Sequence, residues 1–503
     1  MKKRFLSMLI VVLMVAGSVV FAHAQETTQS TLTIVTATLP VNLNHTSNDS
    51  PSAQVTRHIY DTLVYLCYDT FEVLPVLATS WYMPDARTVV MELRQGVYFH
   101  NGDRLTAYDV QFSIDRAAVN PHAEAITGMI SHVEVQDEYN FTIHLDIDFA
   151  PILRHLAHTI AGILPRDHYE AVGEDEFREN PVGSGPFMFY DWVSGDRITL
   201  RRNDNYWGDV SPLEFVTWVE VPDAATRLMA VQMGDADLAL GVSAVDLPVA
   251  AADPNVNLIR RQTLGTDYLG FNAQAPYLSN VYVRQAIAYA LDTYAMFRAT
   301  WGDFGFPPAG PLNSIVWGFA ETEPFDQDFD RARELLARAG YPDGFSSTIW
   351  FNIGNPQRQD IAEMVAAQLR EINIHLDVMG IEWSAYLEGT ERGEHDMFIL
   401  GWTSVTGDAD YGLFPLFHST LHGPNNRSFF TYYPLDELLD RGRSETDPEV
   451  RLQIYYEAQQ MVRNQAPWIF LRQGEEAVVT ARNLNGFVIN PAGHHNYTNV
   501  FFD

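Results

Sequence analysis

The chain has 503 residues, of which 47% are hydrophobic and 12% aromatic, and it carries a formal net charge of −32 at pH 7. That length exceeds one ordinary hydrophobic core, so two or more lobes are expected. The acidity makes nucleic acid and anionic lipid poor partners, and a single cysteine leaves no intrachain disulfide framework.

The first predicted element is an export signal: Lys2-Lys3-Arg4, an apolar run over residues 5–21, then Ala22-His23-Ala24 before a polar stretch. Residues 1–24 are expected to be removed, leaving Gln25 first and a soluble periplasmic protein. Cys67 lies far beyond that junction, so no lipid is attached there. Both lysines sit in the signal, and every cation of the mature chain except histidine is an arginine. A Walker phosphate loop, a Schiff-base lysine and a Ser-Lys dyad are thereby excluded. Acidity combined with lysine depletion reads as a compositional background, from a salty habitat or a GC-rich genome, rather than as ligand steering.

Strands and helices then alternate without a short repeat, which favours α/β lobes. Gly183 and Gly185 permit a tight chain crossing. Residues 280–300 read as one helix, with Val283, Ile287 and Leu291 on a stripe. A second helix over 328–339 ends at Gly340, a C-cap followed by Tyr341-Pro342. The clearest unit is a strand over 347–352, Gly354-Asn355-Pro356, a helix over 359–371 and a strand over 375–379. Ile361, Val365, Leu369 and Ile372 should face its sheet. Ligands gather at the carboxyl end of strands in such a βαβ unit, where Arg358 stands positioned to clamp a carboxylate or simply to occupy an exposed first turn.

Residues 396–400 form an apolar strand that runs into Gly401-Trp402-Thr403-Ser404-Val405-Thr406-Gly407-Asp408-Ala409-Asp410-Tyr411-Gly412. An aromatic, a small polar loop and two carboxylates in that order describe a socket for an ammonium group. A last helix is predicted over 449–464, stopping before Pro467.

Catalytic constellations are missing. There is no His-Glu-x-x-His, Gly183-Ser184-Gly185 lacks the flanks of a nucleophile elbow, and no glycine-rich dinucleotide fingerprint follows a strand. His155 and His158, three apart on a predicted helix, lack a nearby third ligand, so packing is the favoured reading; His494-His495 is a similar orphan. A calcium loop at Asp408 fails, because the third acidic position is Gly412 and the twelfth is Ser419. No catalytic residue, metal site or cofactor is assigned, and the chain is read as a non-enzyme.

Five blocks stand in a telling order. Leu74-Pro75-Val76-Leu77-Ala78-Thr79-Ser80-Trp81 leads through Leu93-Arg94-Gln95-Gly96-Val97-Tyr98-Phe99-His100-Asn101-Gly102 to Leu105-Thr106-Ala107-Tyr108-Asp109-Val110. Asn180-Pro181-Val182-Gly183-Ser184-Gly185-Pro186-Phe187, Tyr268-Leu269-Gly270-Phe271-Asn272 and the run from Val283-Arg284-Gln285 to Leu291-Asp292 follow, and the Trp402 loop completes the order. The order resembles that of the peptide/nickel-type (family 5) extracytoplasmic solute-binding proteins of ABC importers.

The resemblance implies an α/β, two-lobed periplasmic-binding-protein fold, a hinged trap with an extra domain. Residues 25–62, 187–268 and 478–503 would form lobe I, residues 63–186 the extra domain and residues 269–477 lobe II. It implies a peptide ligand, delivery to permease subunits of an ABC transporter, and a monomer. Asp410 would hold the peptide ammonium and Arg358 its carboxylate, with Trp402, Tyr411, Trp383, Asp408, Phe271 and Asn272 nearby. Glutathione, a short peptide with extra carboxylates, is the alternative ligand; a nickel chelate, haem or a secreted hydrolase ranks lower.

Because the signal holds both lysines and Gln25 can cyclise once exposed, the purified mature protein should offer almost no primary amine to an amine-reactive dye. Strong labelling would show that the signal is retained.

Overall fold

The computed structural model describes residues 30–47 and 49–503, so the predicted signal lies outside the described residues. Ten strands form one mixed sheet: Thr31–Thr36 (β1), Phe187–Val193 (β2), Arg197–Arg202 (β3), Phe215–Glu220 (β4), Leu238–Ala239 (β5), Val256–Phe271 (β6), Phe345–Asn352 (β7), Ile374–Ile381 (β8), Met397–Thr403 (β9) and Trp468–Ala481 (β10). Their spatial order is β8-β7-β9-β6-β10-β5-β1-β4-β3-β2.

Two strands tie the lobes together. β6 has 16 residues and β10 has 14, and at the usual rise per residue β6 reaches roughly 50 Å. Val256 to Gln262 pair with Glu475 to Ala481; the register then shifts between Gln262 and Thr266, and pairing resumes from Thr266 opposite Gln473. Within the gap Leu264 N–H donates to Pro491 O and Phe306 N–H to Gln473 O, so loops take up part of what the ladder gives up. Gly474 is required there, because a Cβ would lie 2.5 Å from Thr263 Oγ1 and 3.0 Å from Gly265 O. The ladder thus gives way at Thr263–Gly265 and Gly474, ahead of the lobe edges expected at Leu269 and Val478.

Beyond the shift the sheet is covered on both faces, as its continuous apolar strands require. Met397 and Ile399 pack with Val283 of Val281–Ala290 (α1), Leu336 of Phe329–Ala339 (α3) and Val365 of Pro356–Leu369 (α4). Phe398 and Leu400, facing the other way, pack with Leu413 of Ala409–Phe417 (α5), Leu439 of Tyr433–Ser444 (α6) and Ile454 of Pro448–Gln465 (α7). β7 and β8 pair in parallel around α4, the βαβ unit read from the sequence. The helix expected over 280–300 is two helices: α1 ends at Ala290, and Asp292 accepts from Ala295 N–H to cap Thr293–Trp301 (α2).

Strands Ala78–Asp85, Thr88–Leu93, Asn140–Leu145 and Ile130–Val135 form, in that order, a separate four-stranded sheet with its own core from Leu63 to Ile163. Leu164, Tyr169 and Phe177 join the core under β1, and Val182 packs against both that core and the core of the four-stranded sheet.

At the junction Gly185 N–H donates to Ile59 O (2.9 Å), while His100 Nδ1 accepts from Gly183 N–H (3.2 Å) and its Nε2–H donates to Gly185 O (3.0 Å). Burial holds that imidazole neutral, at about 4, as this arrangement requires. A Cβ at Gly183 would collide with the Ile59 carbonyl oxygen, a backbone atom that would have to shift to admit it. Gly183→Ala should therefore cost about 1–3 kcal/mol, measured as a lower urea midpoint with unchanged slope; an unaltered midpoint would show that the junction yields.

Candidate functional site

The segment that promised most chemistry folds differently from a polar loop. β9 ends at Thr403, Gly407 turns the chain at φ 64°, and Asp408 caps α5 by accepting from Asp410 N–H at 2.9 Å. The Asp408 carboxylate also takes both Arg451 nitrogens, Nη1 to Oδ2 at 2.8 Å and Nη2 to Oδ1 at 2.6 Å. Arg451 lies against the Trp317 ring, 4.6 Å from its centroid. Both partners are buried.

Asp410 is 1% exposed. Arg443 Nε stands 3.3 Å from its Oδ1, Tyr455 OH donates to the same oxygen at 3.3 Å, and His155 Nε2 stands 3.5 Å from Oδ2. Burial pushes its pKa up, while Arg443 and Arg451 oppose that rise. The expectation of an open ammonium socket at Asp410 is corrected on this point: two arginines contributed by α6 and α7 already provide the positive charge, and neither Asp410 nor Asp408 reaches the cleft. Phe271 and Asn272 are corrected likewise. Phe271 lies in the core, and Asn272 Nδ2 donates to Gly393 O and His395 O, pinning the loop before β9.

A cavity of about 920 Å³ opens where the β6/β10 ladder gives way. Trp402, Tyr411, Trp383 and Arg358 all line it. Trp402 Nε1–H donates to Tyr411 O at 3.0 Å, and the two rings sit 5.1 Å apart, which fixes both as one wall. His158 positions Tyr411 from the opposite side. Its Nδ1 accepts from Ile160 N–H (3.1 Å), so its Nε2 carries the proton and donates to Tyr411 oxygen (3.2 Å). Burial keeps this ring neutral, its pKa lowered to about 3.

Arg358 stands in the first turn of α4, where Asn355 accepts from its N–H at 3.0 Å. Its Nη1 donates to Asn352 Oδ1 (2.7 Å) and its Nη2 to Asp267 Oδ1 (3.3 Å), while Arg472 Nε donates to Asp267 Oδ2 (2.7 Å). Burial pushes Asp267 up, but Arg472 and Arg358 together hold it below the ordinary carboxylate value. Asp267 and Arg472 also line the cavity and were not read from the sequence. The sequence gives little signal for them, because β6 also carries Arg260 and Arg261 and β10 also carries Glu475 and Glu476.

The model of the bacterial extracellular solute-binding proteins, family 5, matches residues 72–423. The chain is 30% identical to heme-binding protein A of Haemophilus influenzae over 96% of its own length and 94% of the relative's. It is 30% identical to a glutathione-binding protein of Salmonella typhi, covering 88% of this chain and 89% of that one. Its fold superposes with a TM-score of 0.89 on the periplasmic binding protein DppA from Helicobacter pylori in complex with the peptide STSA, at 28% identity, covering 94% of this chain and 98% of the other.

Removing one partner of a buried ion pair strands the other, at a cost of about 3–5 kcal/mol. Asp408→Ala should lose stability on that scale in urea unfolding, because its bidentate pair with Arg451 has no solvent to fall back on. A variant as stable as the wild type would show that the pair contributes nothing.

Proposed function

The chain belongs to the bacterial extracellular solute-binding proteins of family 5, binding proteins rather than enzymes, and on that premise we propose that it captures short peptides in the cleft between its lobes. It is exported to the periplasm, acts as a monomer and delivers its ligand to the permease subunits of an ABC importer. The observation that carries this reading is the cleft itself, about 920 Å³ in volume, walled by Trp402, Tyr411 and Trp383 and bearing Arg358 on its floor. Ligand pockets run from about 300 to 1,000 Å³, so this one has room for several residues. Arg358 takes the ligand's carboxylate in charge-assisted hydrogen bonds, and the aromatic walls pack its side chains. Water fills the remaining volume and lets the sequence of the peptide vary.

Glutathione is the second reading, favoured by the presence of a further arginine, Arg472, beside Arg358. A nickel chelate or haem has less behind it. Of the three histidines that line the cavity, His122, His158 and His494, His158 has both ring nitrogens engaged by Ile160 and Tyr411.

Closure around a ligand links binding to stability. A peptide at a hundredfold excess over its dissociation constant should stabilise the protein by about 2.7 kcal/mol, raise its melting temperature and reduce its radius of gyration in solution scattering. Unchanged melting and scattering across a diverse library of di- to hexapeptides and glutathione would overturn the peptide reading.

A further inference from the structure

The floor of the cleft holds two guanidinium groups against one carboxylate. Asp267 gives one oxygen to each arginine, Oδ1 to Arg358 Nη2 and Oδ2 to Arg472 Nε, so neither oxygen is left over and the cluster keeps one positive charge. The three side chains are largely withdrawn from solvent, with exposures of 14%, 15% and 15% for Arg358, Arg472 and Asp267. Of the six other carboxylates of the lining, Glu475 takes Nε and Nη2 of Arg260, Glu476 takes His495, Glu174 pairs with Arg116, Glu388 with Arg392, and Asp49 accepts from Ser52 N–H. Arg358 Nε and Arg472 Nη1 are buried without a hydrogen-bond partner, as is Trp383 Nε1, and all three residues line the same cavity. Each of these atoms can only donate. An orphan acceptor or a mixture would suit many ligand groups; three donors beside an unbalanced cation suit an anion.

Arg472 is held rigidly for this task. Its guanidinium lies over Trp301 at 4.8 Å and Phe304 at 5.5 Å from the ring centroids, and both rings belong to the cavity wall. Its place in β10 immediately precedes Gln473 and Gly474, where the ladder between the lobes gives way. Gly401 leaves the approach open, since a side chain there would begin 3.0 Å from Asp267 Oδ1 and 3.1 Å from Arg358 Nη2.

We propose that Arg472 is a second carboxylate-binding residue, and that the ligand's carboxylate completes an alternating array of two guanidiniums and two carboxylates with Arg358 and Asp267. One carboxylate is shared by both guanidiniums, held more closely by Arg472 (2.7 Å) than by Arg358 (3.3 Å), and the single positive charge left over disappears if Arg472 is removed. Arg472 supplies the charge that makes the site select a ligand with a free carboxylate terminus over its amide. This inference rests on the reading of the cleft as a peptide pocket.

The test uses calorimetry on the full mature chain with glutathione and with Ala-Glu-Ala and Ala-Phe-Ala, each tripeptide as free acid and C-terminal amide. The wild type should prefer the free acid by about thirtyfold or more. Arg472→Met, which keeps the stem over Trp301 but removes the charge, should weaken free-acid binding by about tenfold or more and leave the amide within about threefold, so that the preference shrinks. Arg472→Lys, which restores the charge without the fork, should recover part of the preference and guards against a variant that merely folds poorly. If none of the probes binds the wild type, the peptide reading falls and this inference with it. If a tripeptide binds but acid and amide bind alike, or if Arg472→Met keeps the wild-type preference, the inference alone is overturned.

Discussion

β6 and β10 are hydrogen-bonded to each other on both sides of the cleft, and the interruption of that one ladder at Thr263–Gly265 and Gly474 shapes everything around it. A strand pair is stiff along its length, because each residue shares its backbone groups with a partner. Where the register slips, that stiffness lapses, and the two ends of the sheet can turn relative to each other about a narrow line. The cavity opens along the same line. The interruption of backbone pairing and the pocket therefore share one line of the sheet.

Buried charge is treated in two contrasting ways in this molecule. Asp408 with Arg451, and Asp410 with Arg443 and Tyr455, bring α5, α6 and α7 together with carboxylates and guanidiniums in equal number, while Asp410 Oδ2 and Arg443 Nε and Nη2 make no hydrogen bond. Asp61 is matched differently, by Ser184, Tyr206 and Trp207, and burial still raises it to about 6. Such sites are closed and act as scaffold. Around Asp267 the count is uneven and donors remain unpaired, and that imbalance lies on the cavity wall. What sets the Asp267 cluster apart is its uneven count of charges together with its place on the cavity wall, since the Asp410 cluster also holds unpaired atoms but stays out of the cavity lining.

The same contrast explains how Asp410 misleads. In the sequence it stands in a short acidic, glycine-flanked stretch after an aromatic, which is how a ligand-facing carboxylate would be written. Its partners Arg443 and Arg451 come from helices that begin at Tyr433 and Pro448, and nothing within the stretch announces them. The glycines and carboxylates also made residues 408–412 read as a loop, although Asp408 followed by an apolar run is an N-cap signal. The opposite slip occurred at residues 280–300, where apolar spacing runs smoothly across Asp292 and hides the cap that starts a second helix.

Local chemistry was legible wherever the responsible contacts are close along the chain. The sequence by itself determined the parallel βαβ unit around α4, the helix from its Asp328 cap to Gly340 at φ 94°, and the glycine crossing at Gly183 and Gly185, because periodicity and caps act over a few residues. Trp402, Tyr411, Trp383 and Arg358, expected from the sequence near a ligand, border the cavity. Only the tertiary structure decided which charges are satisfied. Asp267, Arg358 and Arg472 stand on three elements drawn together across the sheet, and whether a carboxylate meets one guanidinium or two depends on strand order and register, which no local pattern encodes.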